Sequence, residues 1–159
     1  TIYTNLHTNT AYSSLAAQIT KIFPITLNTF IIPTIYGRFI FNNGIPFMYS
    51  NVIGGEGYNP HYEQQIPFSG LTHTESTLKL LGNAQIQVRH KFHEKQYLTL
   101  SGNYAIHQNQ FSNFLQGKKI YGTSIGYGYD SPLGPIEGFI CYSNRTNKLG
   151  FYLNIGFGF

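Results

Sequence analysis

The chain has 159 residues, of which only 10% are charged, while 16% are Phe or Tyr and 17 are glycine. Soluble domains carry about 25% charged residues, so the composition favours a barrel with an aromatic girdle and a polar lumen, and the alternative is a soluble β-sandwich or barrel. The net charge is +4, but basic residues adjoin only at Lys118 and Lys119, which excludes the basic patch of a nucleic-acid-binding protein. Cys141 is the single cysteine and cannot form an internal disulfide.

Apolar residues alternate with small or polar ones along much of the chain, which predicts strands with two unlike faces. In one strand Ala84, Ile86 and Val88 face one side, while Gln85 and Gln87 face the other. Pro33 within the second strand predicts a local irregularity or a missing ladder bond. The seven predicted strands cover residues 11–22, 29–41, 80–92, 96–107, 120–130, 135–143 and 149–159.

The connections between these strands alternate in length. Residues 23–28, 93–95 and 131–134 form short turns, whereas residues 42–77 and 108–119 form long loops. Outer-membrane barrels have short periplasmic turns and long external loops, and their strands alternate between lipid and lumen. We therefore predict an all-β fold, a segment of an antiparallel transmembrane β-barrel over residues 1–159, in which the long 42–77 loop is extracellular and folds into the lumen.

Seven strands cannot complete a bacterial barrel, because such barrels have even strand numbers and tolerate no open edge in lipid. Three alternatives follow. Residues 2–7 could add a short eighth strand and close a self-contained barrel that binds an apolar ligand. Two copies of the chain could complete one another. The third and favoured alternative is that the chain forms the C-terminal half of a larger barrel.

The final strand ends in Phe157 and Phe159. An aromatic last residue with another two positions earlier resembles the C-terminal signal read by the outer-membrane insertion machinery. That signal usually has Gly five residues before the end, where this chain has Asn154.

Several segments resemble the barrel attached to bacterial patatin-like phospholipases. They are Asn51-Val-Ile-Gly-Gly-Glu-Gly-Tyr58, residues 64–70, Leu98-Thr-Leu-Ser-Gly-Asn-Tyr104, residues 124–136 and residues 150–155. That barrel belongs to a sixteen-stranded superfamily of surface antigens and outer-membrane assembly and translocation proteins. The resemblance implies an outer-membrane location, a lipase domain upstream of this chain, and a non-catalytic role for the chain itself. It also implies three partners, namely outer-membrane lipid, the insertion machinery and upstream barrel strands, and it implies no cofactor.

In the superfamily the long loop ends in an Arg-Gly-aromatic tip whose Arg meets acids on the barrel wall. Here Gly54, Gly55, Gly57 and Tyr58 surround an acid instead, Glu56. The predicted inward faces carry Arg38 and Arg89. We therefore hypothesise reversed polarity, in which Glu56 or Glu63 pairs with Arg38 or Arg89. The alternative is that Glu56 points into solvent at an external tip.

One motif suggests chemistry, because Gly122-Thr-Ser-Ile-Gly126 matches the Gly-x-Ser-x-Gly elbow that would make Ser124 an esterase nucleophile. The elbow requires a strand, a sharp turn and a helix, whereas this motif lies within a continuous alternating strand. The other interpretation is that small inward residues leave room for an inserted loop. His90, His93 and Glu94 lack the spacing of a metal site on a strand. We therefore expect no catalytic residue and no metal in this chain.

Overall fold

The computed structural model describes residues 2–4, 11–41, 49–55, 64–71, 73–132 and 134–156, with residues 2–4, 11 and 12 as backbone only. No helix in these ranges is long and apolar enough to span a bilayer. The strands are β1 (Ile2–Thr4), β2 (Ala11–Thr20), β3 (Phe23–Thr26), β4 (Thr29–Ile40), β5 (Val52–Ile53), β6 (Gln65–Ile66), β7 (Glu75–Ser76), β8 (Leu80–His93), β9 (Gln96–Gln108), β10 (Lys118–Ser131), β11 (Gly134–Ser143) and β12 (Leu149–Ile155). A 3₁₀ segment, Phe111–Gln116, joins β9 to β10.

One large antiparallel sheet contains the predicted strands in the order β1-β2-β4-β8-β9-β10-β11-β12. The short eighth strand is present, because Thr4 pairs with Ala11 across a β1–β2 ladder. Over the described residues β1 and β12 lie at opposite edges of the sheet, so this chain does not close an eight-stranded barrel. The all-β antiparallel prediction is confirmed, and the alternative of a self-contained eight-stranded barrel is wrong for this structure.

The turn predicted over residues 23–28 is wrong, because β3 occupies most of it and the turn itself is Leu27–Asn28. β3 continues alongside β4 in the register of β2, since Thr20 pairs with Thr34 and Phe23 pairs with Ile31. At the break between β2 and β3, the Lys21 N–H donates to the Pro33 carbonyl at 3.2 Å. Pro33 has no N–H to return, and the break between β2 and β3 opposite it is the local irregularity that was one of the two predicted outcomes.

The two faces of the sheet differ as the alternation predicts. The outer face bears large apolar side chains that are more than half exposed, namely Leu15, Ile19, Ile35, Ile86, Leu100, Ile125, Ile140, Phe151, Leu153 and Ile155. The inner face bears polar residues that are less than a tenth exposed, namely Arg38, Asn83, Thr99, Ser101, Asn103, Ser124, Glu137 and Ser143. A protein folded in water has the opposite preference, so the outer face is built for an apolar solvent.

The segment between β4 and β8 covers part of the inner face. Its strands form a small sheet, in which β5 pairs parallel with β6 and antiparallel with β7. An apolar core lies between this segment and the inner face. Its members are Ile53, Ile66, Phe68 and Leu71 from the segment, with Leu81, Ala105 and Ile120 from β8, β9 and β10. The core therefore holds residues 49–55, 64–71 and 73–79, here called the inner loop, against the large sheet.

Candidate functional site: the inner face and its loop

Three serine hydroxyls join the inner loop to two strands. Ser69 Oγ lies 2.8 Å from Ser101 Oγ and 3.3 Å from Ser124 Oγ, and the two strand hydroxyls are 2.6 Å apart. All three residues are buried. Beside them Asn103 Nδ2 donates to the Pro67 carbonyl at 3.2 Å. Since buried polar groups are costly unless paired, this network fixes the position of the loop on β9 and β10.

Two glycines allow the backbone of the loop to lie directly on the backbone of the sheet. A Cβ on Gly122 would overlap the Ser69 carbonyl oxygen. On the loop side, a Cβ on Gly70 would overlap the Tyr142 carbonyl group, and Gly70 has φ 84°, a left-handed conformation that favours glycine. The contact therefore depends on both glycines.

At its start the inner loop is attached to β4 through Arg38. Arg38 Nη1 donates to Asn51 Oδ1 at 3.1 Å and to the Tyr49 and Ser50 carbonyls at 3.3 and 3.4 Å. The Asn51 amide in turn donates to the Leu78 and Lys79 carbonyls, each at 2.9 Å. Asn51 is fully buried. This one side chain therefore holds both ends of the loop together.

The double glycine of the loop has a steric explanation. Gly54 and Gly55 have φ values of 115° and 75°, and a Cβ on Gly54 would overlap the His73 carbonyl oxygen. The Gly55 N–H donates to the Leu71 carbonyl at 2.7 Å, and Gln65 Nε2 donates to the Gly54 carbonyl at 2.8 Å. The two glycines therefore allow the chain that follows β5 to lie in direct contact with Gln65, Leu71 and His73 of the same loop.

A second cluster lies on the inner face nearer the short turns and centres on a buried carboxylate. Glu137 is 1% exposed, and its Oε1 accepts a 2.7 Å hydrogen bond from Tyr97 Oη. Arg89 Nη2 lies 3.8 Å from the same oxygen, and its guanidinium carbon sits 4.7 Å from the centroid of the Tyr97 ring. Asn154 Nδ2 approaches Glu137 Oε2 at 3.5 Å. The cluster therefore links β8, β9, β11 and β12 across the inner face.

Glycines on β10 make room for this cluster. A Cβ on Gly128 would overlap the Tyr97 ring, and one on Gly126 would overlap the Phe139 ring. Gly128 pairs directly with Tyr97 and Gly126 with Phe139 in the ladders. The aromatic rings can therefore lie flat across β10, which allows the Tyr97 hydroxyl to reach Glu137 on the far side.

The sequence model of the OMP85 superfamily matches residues 3–159. The chain belongs to the OMP85 superfamily. A search of curated proteins found no match. Members of this superfamily are outer-membrane β-barrels of bacteria, so at the family level the chain is an outer-membrane barrel module and its sheet is part of the barrel wall.

Within this OMP85 barrel module the two predicted inward arginines do lie on the inner face, but far apart. Arg38 pairs with Leu81 in the β4–β8 ladder, whereas Arg89 pairs with Phe30 near the opposite end. Arg38 contacts the inner loop through carbonyl and amide oxygens, and Arg89 lies beside the wall residue Glu137. One loop carboxylate could thus reach only one of these arginines.

Several predicted site residues lie outside the described residues, namely Glu56, Gly57, Tyr58, Glu63, Phe157 and Phe159. The pairing of Glu56 or Glu63 with an arginine therefore stays a prediction, and so does the insertion signal. Sequence analysis missed Glu137 and Ser69. The signal for Glu137 was available, since it alternates with Ile136 and Gly138 and is an acid within a strand of the barrel. Ser69 gave none, because its segment has no periodicity.

Ser124 lies in the middle of the uninterrupted strand β10, not at a turn into a helix. Its hydroxyl contacts those of Ser101 and Ser69. The interpretation of small residues making room for a loop is confirmed at Gly122, where the Ser69 carbonyl lies. His90 Nδ1 is 2.9 Å from Thr29 Oγ1 across the ladder. No three metal-binding side chains converge in the part of the chain that the structure describes.

Proposed function

We propose that this chain forms the closing C-terminal strands of a sixteen-stranded outer-membrane barrel, which anchors a patatin-like lipase domain located upstream and takes part in its export. The observation that carries the barrel role is the separation of the two faces. Residues such as Ile86, Ile125 and Ile140 are more than half exposed on the outside, while Glu137 and Ser124 are buried on the inside. A bilayer solvates the first set, and the inner loop covers part of the second.

The free edges support the larger barrel. Strand β12 is paired on one side by β11, and β1 at the other edge is paired by β2, with no further partner for either edge among the described residues. An unpaired edge in hydrocarbon leaves backbone groups unsatisfied, at several kcal/mol for each group. Upstream strands would remove both edges at once, and a second copy of this chain would also do so.

The lipase part of the proposal rests on the resemblance of residues 51–58 and 124–136 to barrels of patatin-like phospholipases. A serine-directed fluorophosphonate tests it in the full-length protein. We expect the label on an upstream serine, with labelling unchanged by Ser124→Ala. Labelling that disappears with Ser124→Ala would instead support an esterase within the barrel, and no labelling at all would refute the lipase.

The membrane role is tested with one cation on each face of β8. Ile86 is 56% exposed on the outer face at mid-strand, and its neighbour Gln85 faces inward. Ile86→Arg should destabilise the inserted barrel by about 2–4 kcal/mol, because the midplane of the bilayer disfavours charge. Gln85→Arg, the matched control, should cost much less. Equal urea midpoints for the two variants in vesicles would refute the assignment of the faces.

A further inference from the structure

We propose that the 3₁₀ segment Phe111–Gln116 is a membrane-interface anchor. It inserts Phe111 and Leu115 among the acyl chains of phosphate-bearing lipids at the rim of the barrel, and Lys119 binds the lipid phosphates. This inference rests on the proposed function, because it requires the outer face to be the lipid face. It assigns a specific lipid partner to the connection between β9 and β10.

The segment folds onto the outer face and not over the lumen. The ring of Phe114 lies over Gly82, where an added Cβ would be 3.0 Å from Phe114 Cζ. Gly82 alternates with the inward residues Leu81 and Asn83, which places it on the outer face. The Phe39 ring centroid is 5.5 Å from that of Phe111 and 6.3 Å from that of Phe114. The covered patch therefore belongs to β4 and β8.

Burial on this part of the outer face agrees with such a cover. Leu80 faces outward by alternation but is only 1% exposed, unlike Ile86 at 56% further along the same strand. The covering segment is also held in place at its end. The Gly117 N–H donates to the Phe114 carbonyl at 3.0 Å, and a Cβ on Gly117 would lie 2.6 Å from the His107 carbonyl oxygen. The 3₁₀ segment is therefore a fixed part of the outer wall.

Phe114 packs against the outer face of the sheet, and the other apolar side chains of the segment point away from the sheet. Phe111 is 57% exposed and Leu115 is 76% exposed. They continue the apolar outer face at the same end of the sheet, where Phe41 stacks on Phe111 with ring centroids 6.2 Å apart and Tyr121 is 52% exposed. Aromatic residues form girdles at the membrane interfaces of barrels. Phe111 and Leu115 therefore extend a surface that lipid already covers.

The positive charge beside the segment favours lipids that carry phosphate groups. Residues 109–119 contain no acidic residue and end in two exposed lysines, of which Lys118 pairs with His107 and lies on the inner face. Lys119 pairs with Ile106 in the ladder and alternates with the outward residue Tyr121, so it lies on the outer face beside the segment. Amphipathic segments with basic residues beside apolar ones bind the interface of anionic bilayers. Phosphate-bearing lipids complement this arrangement.

Depth-dependent fluorescence quenching tests the anchor in the full-length protein reconstituted into vesicles. A bimane probe is attached to single cysteines introduced as Leu115→Cys, Ile125→Cys or Thr146→Cys in a Cys141→Ala background. If that background does not fold, native Cys141 can stay, because it is 2% exposed. Ile125 is the mid-strand reference on the outer face, and Thr146 lies in the exposed turn between β11 and β12 at the same end. The quencher is a phosphatidylcholine brominated on its acyl chains.

We expect strong quenching at positions 115 and 125 and little at 146. Quenching at 125 but not at 115 would overturn the anchor and leave the barrel intact. Absence of quenching at 125 as well would overturn the membrane role on which the inference rests. At a constant fraction of brominated lipid, adding phosphatidylglycerol should increase quenching at 115 further. Lys119→Gln should abolish that increase, and Lys118→Gln, on the inner face, should leave it. An increase that survives Lys119→Gln or is lost equally with Lys118→Gln, or no increase in the parent protein, would overturn the lipid-phosphate contact.

Discussion

Gly122→Ala should release the inner loop from the barrel wall. The new methyl group would overlap the Ser69 carbonyl and lie 3.1 Å from Phe68 Cε1. The Gly122 contact with Ser69 is between backbone groups, so no flexible side chain can move aside, and the loop must shift away from the sheet into the lumen. That shift would break the contacts of Ser69 with Ser101 and Ser124 and the 3.2 Å bond from Asn103 to Pro67.

The magnitude follows from what the shift exposes. Phe68 is fully buried, and burial of such a side chain contributes about 2 kcal/mol. Hydrogen bonds contribute about 1 kcal/mol each, net of water. Complete release of the loop, with one such side chain and three hydrogen bonds lost, would therefore cost about 5 kcal/mol. Because each 1.4 kcal/mol is a factor of ten, local opening should become on the order of 10³- to 10⁴-fold more frequent.

Amide hydrogen exchange of the inserted protein measures this opening. The reporter is the Gly55 N–H, which donates to the Leu71 carbonyl within the loop. Gly102→Ala is the matched control, since an added Cβ there meets nothing within 4 Å. We expect faster Gly55 exchange in Gly122→Ala and unchanged exchange in Gly102→Ala. Equal exchange rates in the two variants would refute the view that backbone contact at Gly122 seats the loop.

Three further predictions concern charged and polar residues. Glu137→Ala should lower the free energy of unfolding by about 3 kcal/mol, because it removes the carboxylate that lies 3.8 Å from the Arg89 cation. In urea titrations the double variant Glu137→Ala with Arg89→Met should recover much of this loss. No recovery would argue against the ion pair. Asn51→Ala should lower the free energy of unfolding by about 2–3 kcal/mol and speed proteolysis of the loop. The substitution removes two hydrogen bonds to backbone carbonyls and the oxygen that accepts from Arg38. An unchanged cleavage rate would contradict the role of Asn51 in holding the loop. For the predicted loop-to-wall pair, Glu56→Arg and Arg89→Glu should each lower the protease resistance of the loop, and the double variant should restore it. If no charge swap between Glu56 or Glu63 and Arg38 or Arg89 restores protease resistance, the pairing is refuted.

Some close contacts could not be predicted from sequence. The Gly54-Gly55 pair was singled out for its motif, but its necessity became clear only from positive φ values and the nearby His73 carbonyl. Ser69 belongs to a segment without periodicity, and its contact with Ser124 joins residues 55 apart in the chain. Contacts of this kind depend on how a loop crosses a sheet, and local patterns carry no information about that crossing.

The sequence by itself determined the seven long strands and their two faces, because alternation with a period of two places each side chain on one side of a pleated backbone. It also predicted where the ladder is irregular, at Pro33, because a missing N–H is a property of the residue alone. Only the tertiary structure decided which inward groups meet. Glu137, Tyr97 and Arg89 come from three different strands, and the 3₁₀ segment packs outward over Gly82. Contacts of this kind depend on the register between paired strands and on close packing of residues that are far apart in the sequence. The sequence of a single strand does not specify either.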